Sequence, residues 1–261
     1  NFVSFTGSVK AGYDVQKATH NKFIDMTLEL GGKDPAYARY DCDLEKSVEN
    51  LVDGSFFNSG QSCCGIERIY VDEKIYNNFL ELFVSKTYNY KLGNPLEKET
   101  NLGPVVKLSA AEFILKQMNT AVDKGAKKMI DENKFKFPKE HKNYLIPQVL
   151  TSVSHEMSFM TEETFGPCVG IMKVKNEKEA IQLMNDSPYG LTASIWTKDL
   201  EVAEKIGNQV ETGTFYMNRC DYLDPALSWT GVKETGKGCS LSEIAYEKLT
   251  APKSFHLRKE Q

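Results

Sequence analysis

The stretch FFNSGQSCCGIERIYV, residues 56–71, joins a helical pattern to a strand-like one through a turn that contains two adjacent cysteines. Before the turn, apolar residues recur at helical spacing from Asp43 to about Asn58, and either Asp41 or Asp43 is suited to cap that helix. After the turn, RIYV has the character of a strand. The local pattern is therefore helix, turn, strand.

The same alternation of strands and helices runs through the whole chain. Segments with helical character are residues 7–19, 73–90 and 108–124 and the stretches that start at Asn176, Asp199 and Ser240. Segments with strand character are residues 2–6, FIDMTLEL, AKKMI, YLIPQVL, CVGIMKV, TASIWT, GTFYMN and, at the end, KSFHLR (253–258). Strands that alternate with helices predict an α/β fold with a largely parallel sheet.

The composition is that of an ordinary globular protein, with 41% hydrophobic and 26% charged residues among 261. That length allows one large domain or two smaller ones. The formal net charge of −4 argues against a nucleic-acid binder, because such proteins present an excess of basic residues to the phosphate backbone. No apolar run approaches the roughly 20 residues that a membrane span needs. The chain begins at Asn1 inside a predicted strand, so we expect it to be part of a longer polypeptide.

Six cysteines are scattered along the chain, apart from the adjacent pair Cys63 and Cys64. There is no C-x-x-C pair and no Cys/His spacing typical of a metal site. We therefore predict no metal, and we expect reduced thiols in an intracellular protein. A disulfide between adjacent residues is strained, which argues against pairing within the turn.

Cys63 lies where a nucleophile could be activated. A thiolate reacts well only when it is exposed and its charged form is favoured, and backbone N–H groups in a glycine-flanked turn can favour that form. The alternative interpretation is that Cys63 and Cys64 are small buried hydrophobes, as most free cysteines are. The turn alone favours neither interpretation.

Three other segments have features of ligand sites. In LELGGK, Glu29 ends a strand before a glycine pair, where α/β proteins bind ligands, although a surface acid before a turn would look the same. In FTGSVKAG, the glycines would let a diphosphate approach a helix N-terminus. In EETFGP, Glu163 and Phe165 are equally compatible with an ordinary turn. Each signal is weak by itself.

Together these motifs are specific. LELGGK, FFNSGQSCC, EETFGP and NDSPYGLTA, in this order, resemble the NAD(P)-dependent aldehyde dehydrogenase superfamily over almost the whole chain. The resemblance implies a parallel-rich catalytic domain with a remnant of a Rossmann-type nucleotide-binding domain. The implied parts are the end of the nucleotide-binding domain (1–32), the catalytic cysteine domain (33–234), and a C-terminal helix with an oligomerisation strand (235–261).

The resemblance also implies the chemistry. Cys63 matches the nucleophile that attacks an aldehyde to form a thiohemiacetal, which becomes a thioester after hydride transfer to the nicotinamide of NAD or NADP. Glu29 matches the general base that activates water to hydrolyse the thioester. Cys64 matches a position where a second cysteine is common, with a packing role.

The same resemblance assigns binding residues. For the cofactor, the matching residues are Gly7 and Ser8 at the pyrophosphate, Leu30 and Gly31 beside the nicotinamide, and Glu163 and Phe165 at the nicotinamide ribose and ring. For the aldehyde, the matching residues of the tunnel wall are Tyr222, Leu223 and Trp229. Aromatic and aliphatic lining suits an apolar or aromatic aldehyde, whereas Arg219 and Asp221 nearby could select a polar one. Trp229 could equally be plain packing.

Departures from the family pattern limit these expectations. The family's oxyanion donor is an Asn in a segment upstream of Asn1, so we expect the 261 residues alone to be inactive. SWTGVKETGKGCSLSE stands where many members read Phe-Gly-Gly and later Gly-Arg-Glu, which leaves the substrate open. The final strand, 253–258, implies pairing with another subunit in a homodimer or homotetramer. The other implied partner is a small aldehyde substrate. The resemblance implies that the protein lies in the cytoplasm or in mitochondria.

Other functions remain open at this stage. A CoA-acylating relative would use a thiol instead of water in deacylation, although the presence of Glu29 favours hydrolysis. A non-catalytic structural relative would keep the fold without turnover. A cysteine hydrolase is the least favoured, because none of the four histidines lies in a recognisable partner motif.

Overall fold

The computed structural model describes residues 1–136 and 141–259. The helices are α1 (Val9–Thr19), α2 (Leu44–Phe56), α3 (Tyr76–Thr87), α4 (Leu108–Asp123), α5 (Ser158–Thr161), α6 (Glu177–Asn185), α7 (Leu200–Gly207) and α8 (Ile244–Leu249). The strands are β1 (Phe2–Thr6), β2 (Asp25–Glu29), β3 (Asp34–Ala38), β4 (Ile66–Asp72), β5 (Lys127–Lys128), β6 (Gln148–Thr151), β7 (Cys168–Val174), β8 (Tyr189–Gly190), β9 (Thr192–Trp196), β10 (Thr214–Met217), β11 (Val232–Lys233) and β12 (Gly236–Lys237). The predicted alternation of strands and helices is confirmed.

A seven-stranded sheet forms the centre of the fold. Its strand order is β10-β9-β3-β4-β7-β6-β5, and every neighbouring pair is parallel except β5 with β6. The prediction of a largely parallel sheet is therefore confirmed. Parallel strands present their carboxyl ends at one edge of the sheet, which is where α/β proteins place ligands.

Helices cover both faces of this sheet. On one face, α2 and α3 pack Phe56 and Phe83 against the central strands. On the other face, Met184 of α6 packs with Tyr37 of β3 and Tyr70 of β4. Because successive side chains of a strand point to opposite faces, β3 and β4 are buried completely.

A second, three-stranded sheet has the order β1-β2-β12. β1 and β2 are parallel, and β12 joins β2 in the antiparallel direction. Residues 236–237, which fall in the predicted C-terminal part, thus pair with the predicted nucleotide-binding remnant. β8 and β11 form a separate antiparallel pair. The three-part division stays a prediction.

Side-chain caps begin four of the helices. Ser8 accepts the Ala11 N–H at the start of α1, and Asp43, rather than Asp41, caps α2. Asn176 and Asp199 cap α6 and α7. These caps follow the local sequence pattern, because each oxygen satisfies a backbone N–H of the first helical turn.

Ser240 does not cap a helix, so that prediction was wrong. The last helix, α8, begins at Ile244, with Glu243 at the N-cap position and no side-chain cap. The Ser240 hydroxyl instead donates a hydrogen bond to the Glu29 carboxylate. A contact between residues this far apart in the chain overrides the local capping pattern.

The predicted terminal strand is also absent. Residues 253–258 have no regular secondary structure, and Phe255 and Leu257 are exposed. A strand needs a hydrogen-bonded neighbour, and none of the described residues supplies one to this segment. Its pairing with another subunit stays a prediction.

Candidate active site

Cys63 lies in the turn that links α2 to β4. Asn58 and Ser59 in this turn have left-handed backbone, with φ of 51° and 58°. Gly60 is left-handed as well, and a Cβ there would lie 2.1 Å from the carbonyl oxygen of Gly166. Only glycine tolerates both the conformation and the contact. The turn before Cys63 is therefore locked against the loop that precedes β7.

The Cys63 thiol is partly buried and has a lowered pKa. The main cause is a hydrogen bond from the Cys64 thiol, which favours the Cys63 thiolate, while burial and the charges of Glu29 and Asp221 act in the opposite direction. The same hydrogen bond, together with burial, raises the pKa of Cys64 far above that of a free thiol. Cys64 thus keeps its proton and Cys63 is the group that ionises, which is the state a nucleophile requires.

Asp221 restrains the residues on both sides of Cys63. One carboxylate oxygen of Asp221 accepts a hydrogen bond from Ser62 Oγ at 2.7 Å and lies 3.0 Å from Cys64 Sγ. The sequence placed Asp221 only among residues that could select a polar aldehyde. In the structure it also fixes the turn that presents the thiol.

Glu29, the last residue of β2, is held through both its backbone and its side chain. It lies in register with Thr6 on one side and with Gly236 on the other. The Gly7 N–H donates to its carbonyl oxygen at 3.0 Å. The Ser240 hydroxyl donates to Oε1 of its carboxylate. The carboxylate therefore has a defined orientation at the end of the strand.

Both Cys63 and Glu29 line one cleft of about 680 Å³. The other sequence-predicted residues in its wall are Gly7, Ser8, Leu30, Gly31, Glu163 and Phe165. The sequence analysis missed further lining residues, among them Gln61, Val106, Lys107, Phe113 and Tyr189. A thiol with a lowered pKa, a carboxylate and a helix N-terminus thus meet at one concave surface.

Two of the predicted tunnel residues lie away from this cleft. The ring of Tyr222 is covered by the Arg219 guanidinium, whose carbon lies 3.2 Å from the ring centroid. Leu223 is half-exposed at 51%. Their role in a substrate tunnel stays a prediction.

Trp229, the third predicted tunnel residue, is buried beside the Cys63–Cys64 pair. It packs with Cys64 and Leu191, and Cys63 contacts the same cluster. It does not line the cleft that holds Glu29. Trp229 therefore supports the thiol turn from a side that the cleft does not reach.

A buried ion pair anchors the loop that carries Glu163 and Phe165. Lys33 Nζ lies 2.5 Å from Glu67 Oε2, with both side chains almost fully buried. Glu67 accepts the backbone N–H groups of Thr164 at 2.9 Å and Phe165 at 2.8 Å. Lys33 Nζ also donates to Thr164 Oγ1 at 2.8 Å. The pair thus ties the end of the LELGGK segment to the opposite wall of the cleft.

The Glu163 carboxylate lies against the glycine pair. Its Oε1 accepts the Gly32 N–H at 2.9 Å, and a Cβ at Gly31 would lie 2.5 Å from its Oε2. A Cβ at Gly32 would lie 2.3 Å from the Cys63 carbonyl oxygen. Burial, followed by repulsion from Glu67, raises the pKa of Glu163 to about 7. Both glycines are therefore required by close approaches within the chain itself.

Comparison with known proteins identifies the family. The model of the aldehyde dehydrogenase family matches residues 1–255. The chain belongs to the aldehyde dehydrogenase family. The resemblance that the sequence motifs predict is thereby confirmed.

Relatives of this aldehyde dehydrogenase chain are about twice its length. Aldehyde dehydrogenase from Emericella nidulans is 35% identical over 258 residues, covering 98% of this chain and 51% of that protein. Aldehyde dehydrogenase 1A1 from Oryctolagus cuniculus is 34% identical over 258 residues, with coverage of 98% and 51%. A crystal structure of betaine aldehyde dehydrogenase from Staphylococcus aureus in complex with NAD+ has a TM-score of 0.88 and 31% identity, covering 95% of this chain and 49% of that one. The chain thus spans about half the length of these relatives.

Neutralising Glu67 tests how the loop that carries Glu163 and Phe165 is anchored. Glu67→Gln is expected to lower the free energy of unfolding by about 3–5 kcal/mol, because it leaves the Lys33 ammonium buried without a counter-charge. Denaturant-induced unfolding of the full-length protein measures the change. The matched control is Lys33→Met combined with Glu67→Gln, which removes both charges, keeps an amide oxygen for the N–H groups of the loop, and is expected to cost less than Glu67→Gln alone. An equal or larger loss for the double variant would contradict the assignment.

No helix among residues 1–136 and 141–259 is both long and apolar enough to cross a bilayer. Over the same ranges, no group of three or more His, Cys, Asp or Glu side chains is arranged to hold a metal ion. All six cysteines are described, and each is a free thiol.

Proposed function

We propose that the full-length protein oxidises an aldehyde to a carboxylate with NAD+ or NADP+ through a covalent intermediate on Cys63. The observation that carries this proposal is the shared cleft, which brings the Cys63 thiol and the Glu29 carboxylate together. The lowered pKa of Cys63 supplies the nucleophile, and Glu29 supplies a base for hydrolysis. Family membership and the NAD+ complex of the Staphylococcus aureus relative support the same reaction.

Each step follows from a group in the cleft. The Cys63 thiolate forms a bond to the aldehyde carbon, and the carbonyl oxygen takes the negative charge. A bound nicotinamide cofactor would supply the hydride acceptor for this carbon, and loss of the hydride would leave an acyl group on Cys63. Glu29 then removes a proton from water as the water oxygen attacks the acyl carbon. The carbon–sulfur bond breaks, the product leaves as a carboxylic acid that releases its proton to water, and Cys63 returns to the thiolate.

The cleft suits a nicotinamide dinucleotide. The first turn of α1, which follows Ser8, faces it, and a helix N-terminus binds phosphate through free N–H groups and the helix dipole. Glu163 offers a carboxylate to ribose hydroxyls, and Phe165 presents a ring that is 40% exposed. A Cβ at Gly12 would lie 2.6 Å from Leu30 Cδ1, so this glycine lets α1 pack closely on β2. These residues would hold the pyrophosphate and the nicotinamide end.

The test uses the full-length protein with NAD+ or NADP+ and a panel of apolar, aromatic and charged aldehydes. Formation of the reduced cofactor together with free carboxylate is the expected result. Parallel reactions with CoA distinguish hydrolysis from acyl transfer, because an acyl-CoA product would identify the CoA-acylating alternative. No reduced cofactor with any aldehyde would contradict the proposal. We also propose a homodimer or homotetramer, which light scattering of the same sample would measure.

Cofactor affinity is expected to depend on pH through Glu163. Its pKa is raised to about 7, so the carboxylate that accepts ribose hydroxyls is lost as the pH falls through neutrality. The dissociation constant for NAD+ is therefore expected to rise about tenfold between about pH 8 and pH 6. Calorimetric titration of the full-length protein measures this. Glu163→Gln should bind more weakly at pH 8 and lose the dependence; an unchanged slope in that variant would exclude Glu163 as its source.

A further inference from the structure

We propose that Ser240 is a positioning residue for Glu29, and that its hydroxyl holds the carboxylate in the orientation from which it activates the hydrolytic water. The proposal rests on the proposed function, because it concerns the step that releases the acyl group from Cys63. The direct observation is the hydrogen bond from Ser240 Oγ to Glu29 Oε1.

The backbone of Ser240 is itself fixed. Its N–H donates to the Trp229 carbonyl oxygen at 2.8 Å, and the Trp229 N–H donates to the Ser240 carbonyl oxygen at 2.6 Å. The neighbouring Thr230 Oγ1 donates to the Gly238 carbonyl oxygen at 2.6 Å. A hydroxyl on such a backbone has little freedom, so its hydrogen bond can restrain Glu29 at low entropic cost.

The chain before Ser240 wraps around the end of β2. The Leu30 N–H donates to the Thr235 carbonyl oxygen at 3.0 Å. Gly236 and Gly238 then adopt positive φ of 121° and 95°, and a Cβ at Gly236 would lie 2.0 Å from the Leu28 carbonyl oxygen. Only glycine permits this close turn. The turn returns the chain to β2, where β12 pairs with the backbone of Glu29. It thereby places Ser240 beside the Glu29 carboxylate.

The same backbone pair connects the base to the nucleophile. Trp229 exchanges two backbone hydrogen bonds with Ser240. The Trp229 side chain packs in one hydrophobic cluster with Cys64, and Cys63 contacts this cluster. The Ser240 hydroxyl and the packing beside the thiol are therefore connected through the Trp229–Ser240 backbone pair. This connection links the position of the Glu29 carboxylate to that of Cys63.

The hydrogen bond also leaves Glu29 able to act. Ser240 occupies Oε1, and no hydrogen bond from residues 1–136 or 141–259 occupies the second oxygen, which can accept a proton. In hydrolysis that oxygen takes a proton from water, the water oxygen bonds to the acyl carbon, and the electrons of the carbon–sulfur bond return to sulfur. A hydroxyl that donates to one carboxylate oxygen fixes the orientation of the whole group and leaves the second oxygen able to accept a proton.

The test separates acylation from deacylation in the full-length protein. Samples are mixed with NAD+ and aldehyde and quenched in acid, and mass spectrometry measures the acyl group on Cys63. Ser240→Ala is expected to form the acyl group at the unaltered rate and to lose it about tenfold more slowly, the loss typical of one hydrogen bond to a charged group. Ser240→Thr keeps the hydroxyl and should restore the rate to within about threefold.

A second arm asks whether Ser240 acts only through Glu29. In a Glu29→Gln background, Ser240→Ala is expected to have no further effect on deacylation, because the carboxylate it orients is gone. Equal slowing in both backgrounds, slowing of acylation together with deacylation, or no slowing at all would overturn the inference. If the unaltered protein turns over and Ser240→Ala leaves deacylation unchanged, this inference alone is overturned. If the unaltered protein forms no acyl group on Cys63, the proposed function is overturned as well.

Discussion

Replacing Cys63 by serine in the full-length protein is expected to reduce kcat/KM for aldehyde oxidation by about 10⁴-fold or more, as when a covalent nucleophile is removed from other enzymes. The physical reason lies in the thiol pair. The Cys64 thiol favours the thiolate of Cys63 and lowers its pKa. A serine hydroxyl stays protonated in the same environment and attacks a carbonyl far more slowly. Formation of reduced cofactor, followed by absorbance, measures the loss.

The matched control is Cys64→Ser. A serine hydroxyl at position 64 can still donate a hydrogen bond to Cys63, and Asp221 still accepts the hydrogen bond of Ser62 that fixes the turn, so activity is expected to fall by less than about tenfold. Alkylation with iodoacetamide at neutral pH, mapped by mass spectrometry, should modify Cys63 first among the six cysteines, because its pKa alone is lowered among those with a resolved shift. A Cys63→Ser protein that keeps its activity would show that another group is the nucleophile.

Local sequence patterns predict most of the fold because their causes are local. Ser8 and Asp43 cap helices since each oxygen reaches a backbone N–H three residues ahead. The motif around Cys63 and the glutamate of LELGGK likewise identify two groups that the structure brings to one cleft. In these cases the residue types and their spacing carry the information.

The roles that the sequence analysis missed depend on contacts between distant segments. Asp221 reaches Ser62 and Cys64, and Ser240 reaches Glu29, across much of the chain. No spacing rule reveals such contacts. The sequence does contain one indication of the role of Glu67, because a charged residue inside the buried strand IERIYV requires a buried partner. That partner is Lys33, the lysine of LELGGK.

The terminal segment shows the opposite limit. KSFHLR has the alternation of a strand, but a strand forms only where a neighbour supplies hydrogen bonds. Ser240 is similar, because its spacing to Glu243 fits a capping box while its hydroxyl binds elsewhere. For Ser240 a correct local pattern gave a wrong structure, since the deciding partner lies outside the local segment. The pairing of KSFHLR with another subunit stays a prediction.

Glu29→Gln is expected to leave acylation nearly intact and to slow deacylation by about 100-fold or more, the contribution typical of a general base. The amide has the shape of the carboxylate and can still contact Ser240, but it cannot accept a proton from water. Mixing the full-length variant with NAD+ and aldehyde should therefore yield one rapid equivalent of reduced cofactor per active site, followed by very slow turnover. Stopped-flow absorbance measures both phases.

The control is Glu112→Gln, which neutralises an exposed carboxylate on α4 that does not line the cleft, and it should leave both phases unchanged. The burst distinguishes two roles of Glu29. A base that serves only the water step leaves the burst, whereas a carboxylate that deprotonates Cys63 removes it. Because Cys64, and not Glu29, is the main cause of the lowered pKa of Cys63, the structure favours the first role. A Glu29→Gln protein that loses burst and turnover equally would show that Glu29 activates the thiol as well.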